Sequence, residues 1–216
     1  QLPVGWVRQK MTIAGEKTQK ELIGIPCLEG GFTPQRKKSI STSRTFGQRL
    51  SELNSLKEAV SNYAAICAEM LRSQKSCAVS LVVYLLYSNY RESNLYYSSK
   101  FITFPVPTNS TIEITKYSLT ALIHAYKKGY EYIKAGVILT EIIPDNAIQG
   151  NIYDTIDRDK HSKLMAVVDR YNDGFCRSNL KLAIQIGKNN WAMRQELRSP
   201  CYTTKLSDIL CFKAKE

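Results

Sequence analysis

The chain has 216 residues, of which 44% are hydrophobic and 23% charged, a composition that excludes wholesale disorder and suffices for one large domain or a smaller one with an extension. Thirty Lys and Arg against 19 Asp and Glu give a net charge of +11 and an isoelectric point near 9.3. That balance favours a polyanionic partner, nucleic acid first and an anionic membrane surface second.

Residues Trp6 to Leu22 place Val7, Met11, Ala14, Thr18 and Leu22 at helical spacing, with a stop at Gly24 and Pro26. Residues 25–36 contain two prolines and a Gly-Gly pair without periodicity and read as a linker. From Lys37 to Phe46 the residues alternate, Lys37, Ser39, Ser41, Ser43 and Thr45 on one side and Lys38, Ile40, Thr42, Arg44 and Phe46 on the other. One side of that strand has no apolar residue.

Ser55 and Glu58 form a capping box for a helix whose stripe is Leu56, Val60, Tyr63, Cys67 and Met70, ending before Ser76. The runs Ala78 to Tyr87 and Ser98 to Val106 read as a hairpin of two strands. The first of these is too short to span a bilayer. Ser110 and Glu113 open a second capped helix, with Tyr117, Leu119, Leu122, Ile123 and Tyr126 facing inward before Gly129, and Tyr132 to Ile143 form the last strand.

The order β-α-β-β-α-β predicts an α+β domain over 37–145, with two helices on one face of a four-stranded antiparallel sheet and the other face open. Small hydroxyls and long cations cannot form a core there. They can donate hydrogen bonds and charge to phosphates along a duplex, against the competing reading of plain solvated surface. Residues 146–216 read as a small α/β extension, with a short helix at Leu164, Val167, Val168 and Tyr171, then a strand at Leu180, Leu182, Ile184 and Ile186.

Six cysteines, at 27, 67, 77, 176, 201 and 211, make no CxxC or Cys/His metal spacing, and reduced cytosolic thiols are expected. Neither His124 nor His161 lies in a catalytic motif, and no P-loop or GxGxxG occurs. The pair Asp157 and Asp159 reads as a helix cap or solvated acids rather than a Mg²⁺ site. Neither a catalytic nor a metal residue is expected. The start at Gln1, with no signal peptide pattern behind it, suggests a piece of something longer.

Three segments together resemble the Y-family translesion DNA polymerases: KKSISTSRTFGQRL with the helix containing SNYAAICAEMLR, then YIKAGVILTEI, then WAMRQELRSPCYTTKLSDIL, Trp191 to Leu210. The first two resemble the start and last strand of the family's little-finger domain, and the third resembles the C-terminal end of its UmuC-type members. The resemblance implies that residues 1–24 end a thumb, and that palm and fingers, with the catalytic carboxylates and their Mg²⁺, lie upstream. It therefore implies a DNA-binding part of a cytoplasmic, error-prone repair polymerase of the SOS response, itself without polymerase activity or cofactor. The family's little finger lays its sheet against the template-primer duplex, which makes Arg36, Lys37, Lys38, Ser39, Ser41, Ser43, Arg44, Thr45 and Arg49 the expected DNA contacts.

Gln149, Gly150, Asn151, Ile152 and Tyr153 fall where such polymerases carry a sliding-clamp peptide. Ile152 and Tyr153 replace the usual Leu-Phe pair, and an extended segment could insert both into an apolar pocket while Gln149 bonds at the rim; the other reading has both tucked onto the domain. Processed UmuD and RecA filaments are further partners that the resemblance implies. Two rivals stand beside it. Phe101 and Phe104 suggest the stacking rings of an RNA recognition motif, although its glycines are missing and core packing suits both rings better; an interaction module for an acidic protein stays open on charge alone.

Overall fold

The computed structural model describes residues 2–27, 37–88, 95–175, 179–187, 191–193 and 198–209, in two compact units, 1–36 and 37–216. The first unit holds α1 (Val4–Leu22), kinked at Thr12 where φ is 63°. The kink breaks the expected stripe, because the two halves no longer share one helical register. Only Val7 is buried, and Met11 and Leu22 are exposed. The stop is as expected: Gly24 takes a φ of 84°, which glycine adopts without a Cβ penalty, and the Ile25 amide reaches back to the Lys20 carbonyl at 2.9 Å.

The second unit runs β1 (Ile40–Leu50), α2 (Leu53–Ser73), β2 (Ser76–Ser88), β3 (Leu95–Thr108), α3 (Thr111–Ala125), β4 (Glu131–Pro144) and α4 (Arg158–Phe175). The sheet is antiparallel with order β1-β4-β2-β3, so β4 lies between β1 and β2. Each β-α-β unit is split by a strand of the other, and both helices fall on one face. On that face Leu81, Val83 and Leu85 of β2 and Ala135, Val137 and Leu139 of β4 meet Leu56, Val60, Cys67 and Leu71 of α2 and Ile114 and Leu122 of α3, all fully buried. Ala59, Ala64 and Ala68 let α2 lie close to the sheet.

Several local expectations are corrected. The first strand runs 40–50 rather than 37–46, leaving Lys37 to Ser39 as a lead-in. The Ser55 and Glu58 box does not form, because α2 already starts at Leu53, with the Leu56 amide on the Glu52 carbonyl. Ser110 does stand at the N-cap of α3 without a side-chain cap; its hydroxyl pairs with His161 Nδ1 at 3.1 Å instead. Met70 and Ile123 are exposed, since Leu71 and Leu122 take the inward positions beside them. Phe104 is core but Phe101 is not, because alternate residues of a strand face opposite ways.

The extension belongs to the second unit and forms a further layer on the outer side of the helices. Arg72 of α2 grips Asp169 of α4 through two bonds of 2.6 and 2.7 Å, and Glu113 of α3 lies 3.5 Å from Arg158. Residues Leu180 to Ile186 are not a strand. They make one 3₁₀ turn, Ala183–Gln185, fixed by the Gln185 side chain accepting from the Leu182 amide at 2.7 Å and by Asn62 donating to the Gln185 carbonyl at 3.2 Å. The segment lies against α2, a helix, so its backbone bonds within the turn and to the Asn62 side chain instead of to a strand.

Trp191 completes the layer. Its indole N–H donates to Glu58 at 2.9 Å and its ring meets Tyr63 edge-on at 5.6 Å. Its carbonyl accepts from the Gly47 amide at 3.2 Å, so the free edge of β1 is partly covered. A Cβ on Gly47 would come within 2.4 Å of the Ala192 carbonyl oxygen, which requires glycine there. Trp191→Ala should therefore cost about 1–2 kcal/mol in urea unfolding, because both the ring packing on Tyr63 and the indole bond disappear. An unchanged midpoint would show that the tryptophan only rests on the surface.

Candidate nucleic-acid interface

The face of the sheet away from α2 and α3 is built in rows across four strands. The pairing registers place Thr45, Lys134, Leu86 and Tyr97 in one row, Ser43, Gly136, Tyr84 and Ser99 in the next, and Ser41, Ile138, Val82 and Phe101 in a third. Apart from Gly136 these residues are half-buried or exposed, so the face is open among the described residues. No row contains an acid. The acids stand at the ends: Glu131 is paired with Arg49 at 2.8 Å, and Glu141 accepts from Ser80 at 3.2 Å.

Of the expected DNA contacts, Arg36 lies outside the described residues. Lys37, Lys38 and Ser39 are exposed just ahead of β1, and Ser41, Ser43 and Thr45 stand together on the open face, as the alternation required. Arg44 is exposed on the opposite side, where its charge acts on Tyr63 of α2. Arg49 reaches Glu131 and, at 3.4 Å, Ser88, so its charge is already engaged within the fold.

The open face is not purely hydroxyl and cation. Val82, Leu86 and Ile138 occupy its middle, half-buried, and Tyr84 lies across Gly136, where a Cβ would meet the ring at 2.5 Å. Lys134 supplies a cation in the middle of the sheet, one strand in from Thr45. Sequence reasoning missed Lys134, Tyr84, Tyr97 and the exposure of Phe101. A glycine inside the strand segment YIKAGVILT was the available signal, since mid-strand glycine often marks a close approach by another group.

Beneath β1 the Thr42 hydroxyl meets the Cys67 thiol at 3.2 Å. Burial pushes this thiol up to about 11, against the opposing hydrogen bond with Thr42, so it is a neutral core group rather than a nucleophile. Cys77 is likewise raised to about 11 by burial, with Asp145 adding to the rise. Among the described residues no cluster of His, Cys, Asp and Glu could hold a metal ion, and no helix is long and apolar enough to cross a membrane.

Beyond β4, Gln149, Asn151, Ile152 and Tyr153 are all exposed, Ile152 at 98% and Tyr153 at 89%. The segment is turned rather than extended. The Asn151 side chain accepts from the Tyr153 amide at 3.0 Å and its carbonyl from the Asp154 amide at 3.0 Å, an Asx turn that holds the two apolar side chains outward. Asp154 is itself fixed by Arg158, whose hydrogen bond lowers its carboxyl below the usual range. Neither Ile152 nor Tyr153 tucks onto the domain.

Residues 37–152 match the family model described as the impB/mucB/samB family C-terminal domain, and residues 162–211 match a second model described as a domain of unknown function. Among curated relatives, ImpB of Salmonella typhimurium is 31% identical over 97% of this chain and 50% of its own length. UmuC of Salmonella typhimurium is 32% identical over 96% and 50%, and MucB of Escherichia coli 31% over 94% and 48%. The chain thus spans about half the length of the curated relatives it matches. With the four-stranded open-faced sheet and the match over 37–152, the chain belongs to the impB/mucB/samB family of UmuC-like, Y-family DNA polymerases and carries that family's C-terminal domain.

Proposed function

We propose that this chain is the part of an error-prone translesion polymerase that grips template-primer duplex and tethers it to the sliding clamp. The observation that carries the reading is the trio of acid-free central rows on the open face, with Ser41, Ser43 and Thr45 on β1, Lys134 beside them on β4, and Lys37 and Lys38 at the entry to β1, while Glu131 and Glu141 stand only at the ends. Hydroxyls donate to phosphate oxygens, the lysines supply charge, and none of these groups discriminates bases. The described contacts of the extension are with α2, α3 and the edge of β1. The exposed Ile152 and Tyr153 support the second half of the reading, as a pair of apolar anchors on an ordered turn.

The test is duplex binding over a range of salt. Changing Lys37, Lys38 and Lys134 to Ala should flatten the slope of log affinity against log salt by about 0.9 for each phosphate that is no longer neutralised, with affinity falling alike on unrelated sequences. Arg44→Ala, on the other side of β1, should leave the slope unchanged. An unaltered slope in the triple variant removes these lysines from the interface, and a preference for single-stranded RNA over duplex would favour an RNA-binding module.

A further inference from the structure

The two halves of the open face differ chemically. On the β3 side, Tyr97 and Phe101 are 61% and 54% exposed, four residues apart and so about 13 Å along the strand. One strand inward, the Tyr84 ring stacks on Tyr97 at 5.8 Å with planes 26° apart. It lies low because Gly136 presents no side chain beneath it. Lys134 shares a row with Tyr97, and no acid stands in these rows.

Toward duplex phosphates only the hydroxyls of Tyr84 and Tyr97 would be of use, and Phe101 and the ring faces themselves would not. The faces of paired bases are hidden within the stack, and a backbone oxygen gains little from a phenyl ring. Unpaired bases are different, since each has two free faces that stack on an aromatic ring while the backbone seeks a cation nearby. A strand spacing near 4.8 Å puts β3 about 14 Å from β1, so a short tail leaving a duplex held at β1 reaches the rings.

Resting on the duplex reading above, the geometry points to a second subsite: Tyr84, Tyr97 and Phe101 form a stacking platform for the unpaired bases of a single-stranded DNA tail that continues from the bound duplex. Lys134 neutralises the backbone between the two halves. The subsite gives the sheet a preference for the junction between paired and unpaired template over plain duplex.

The 216-residue chain is tested on a blunt duplex and on the same duplex carrying a 5′ oligo-dT tail. The tail should tighten binding about tenfold or more, the contribution expected of one or two stacked bases. Tyr97→Ala with Phe101→Ala should abolish the gain while blunt-duplex affinity stays at the wild-type value; Phe101→Leu, which keeps apolar volume without a ring, should lose part of it, and Tyr97→Phe should retain it. Lys37→Ala with Lys38→Ala should weaken both duplexes and preserve their ratio.

A tail that adds nothing while blunt duplex still binds overturns the platform and leaves the duplex reading standing. Aromatic variants that weaken blunt and tailed duplex equally also overturn it. Wild-type binding of free oligo-dT without blunt duplex, abolished in the aromatic double variant, fails the duplex reading alone. A dimer in solution that the same double variant dissolves assigns the face to a second copy and overturns the platform.

Discussion

Arg72→Ala should release α4 from the helix layer and leave the sheet beneath it intact. Arg72 is nearly enclosed, with its side chain 12% exposed, and each of its three nitrogens makes a hydrogen bond. Nε and Nη2 hold the two oxygens of Asp169, while Nη1 donates to the Asn109 carbonyl at 2.7 Å and to the Thr111 hydroxyl at 3.0 Å. One guanidinium thus joins the last turn of α2, the start of α3 and the middle of α4.

Removing it strands a partly covered carboxylate and a backbone carbonyl, which costs about 2–4 kcal/mol as long as α4 stays in place. The strain is relieved if α4 leaves, because Asp169 then regains water. Among the described apolar side chains of α4 only Met165 is buried and Val168 half-buried, while Leu164, Val167 and Tyr171 are 45%, 63% and 43% exposed, so modest burial opposes its departure. Amide exchange in residues 158–175 should accordingly speed up by roughly 100-fold or more, while β2 and β4 keep their protection. Arg72→Lys should recover only part of the protection, since an ammonium cannot form the two-point fork. Unchanged exchange in α4 with Arg72→Ala would mean that the fork is not what fastens the extension.

Much of this architecture is written in local pattern. The stripe Leu56, Val60, Tyr63 and Cys67 and the alternation Ser41, Ser43, Thr45 each fix which side of an element faces the core, and the structure keeps those faces. The composition of the open face was legible as well, but in a different place. Ala78 to Tyr87 is nearly continuous in apolar residues, and a strand with one face in water should alternate. The unbroken run requires Val82, Tyr84 and Leu86 to occupy the open face, so the surface could never be hydroxyl and cation throughout.

What the sequence hides is pairing between distant elements. Ser110 and Glu113 have the spacing of a capping box, yet His161 and Arg158, far along the chain, engage both. Arg44 and Arg49 look equivalent as two cations of one strand, but register and partners separate them: one stands on the helix side, the other is held by Glu131. Leu180 to Ile186 alternates like a strand, yet it meets α2 and closes into a turn whose Gln185 carbonyl is taken by Asn62. Such outcomes depend on which segments meet, which a spacing rule does not contain.

Replacing Ile152 and Tyr153 together by Ala should weaken binding to the cognate sliding clamp by at least about 100-fold, because paired apolar anchors at a pocket commonly contribute about 2 kcal/mol or more each and are not fully additive. The same double variant should fold as well as the parent, within about 0.5 kcal/mol, since both side chains already stand in solvent in the free protein. Separating these two measurements is what makes the result decisive: a fall in clamp affinity at unchanged stability can only come from the interface. Gln149→Ala, which removes a rim hydrogen bond, should cost about tenfold. Asn151→Ala should act through a different route, by loosening the Asx turn that presents the pair, so its cost should fall mainly on the entropy of binding. Duplex affinity and its salt slope should be untouched in all three, as none of these residues lies on the sheet. Unchanged clamp affinity in the Ile152 and Tyr153 double variant would leave the turn as an ordinary surface loop and remove the tether from the proposed function.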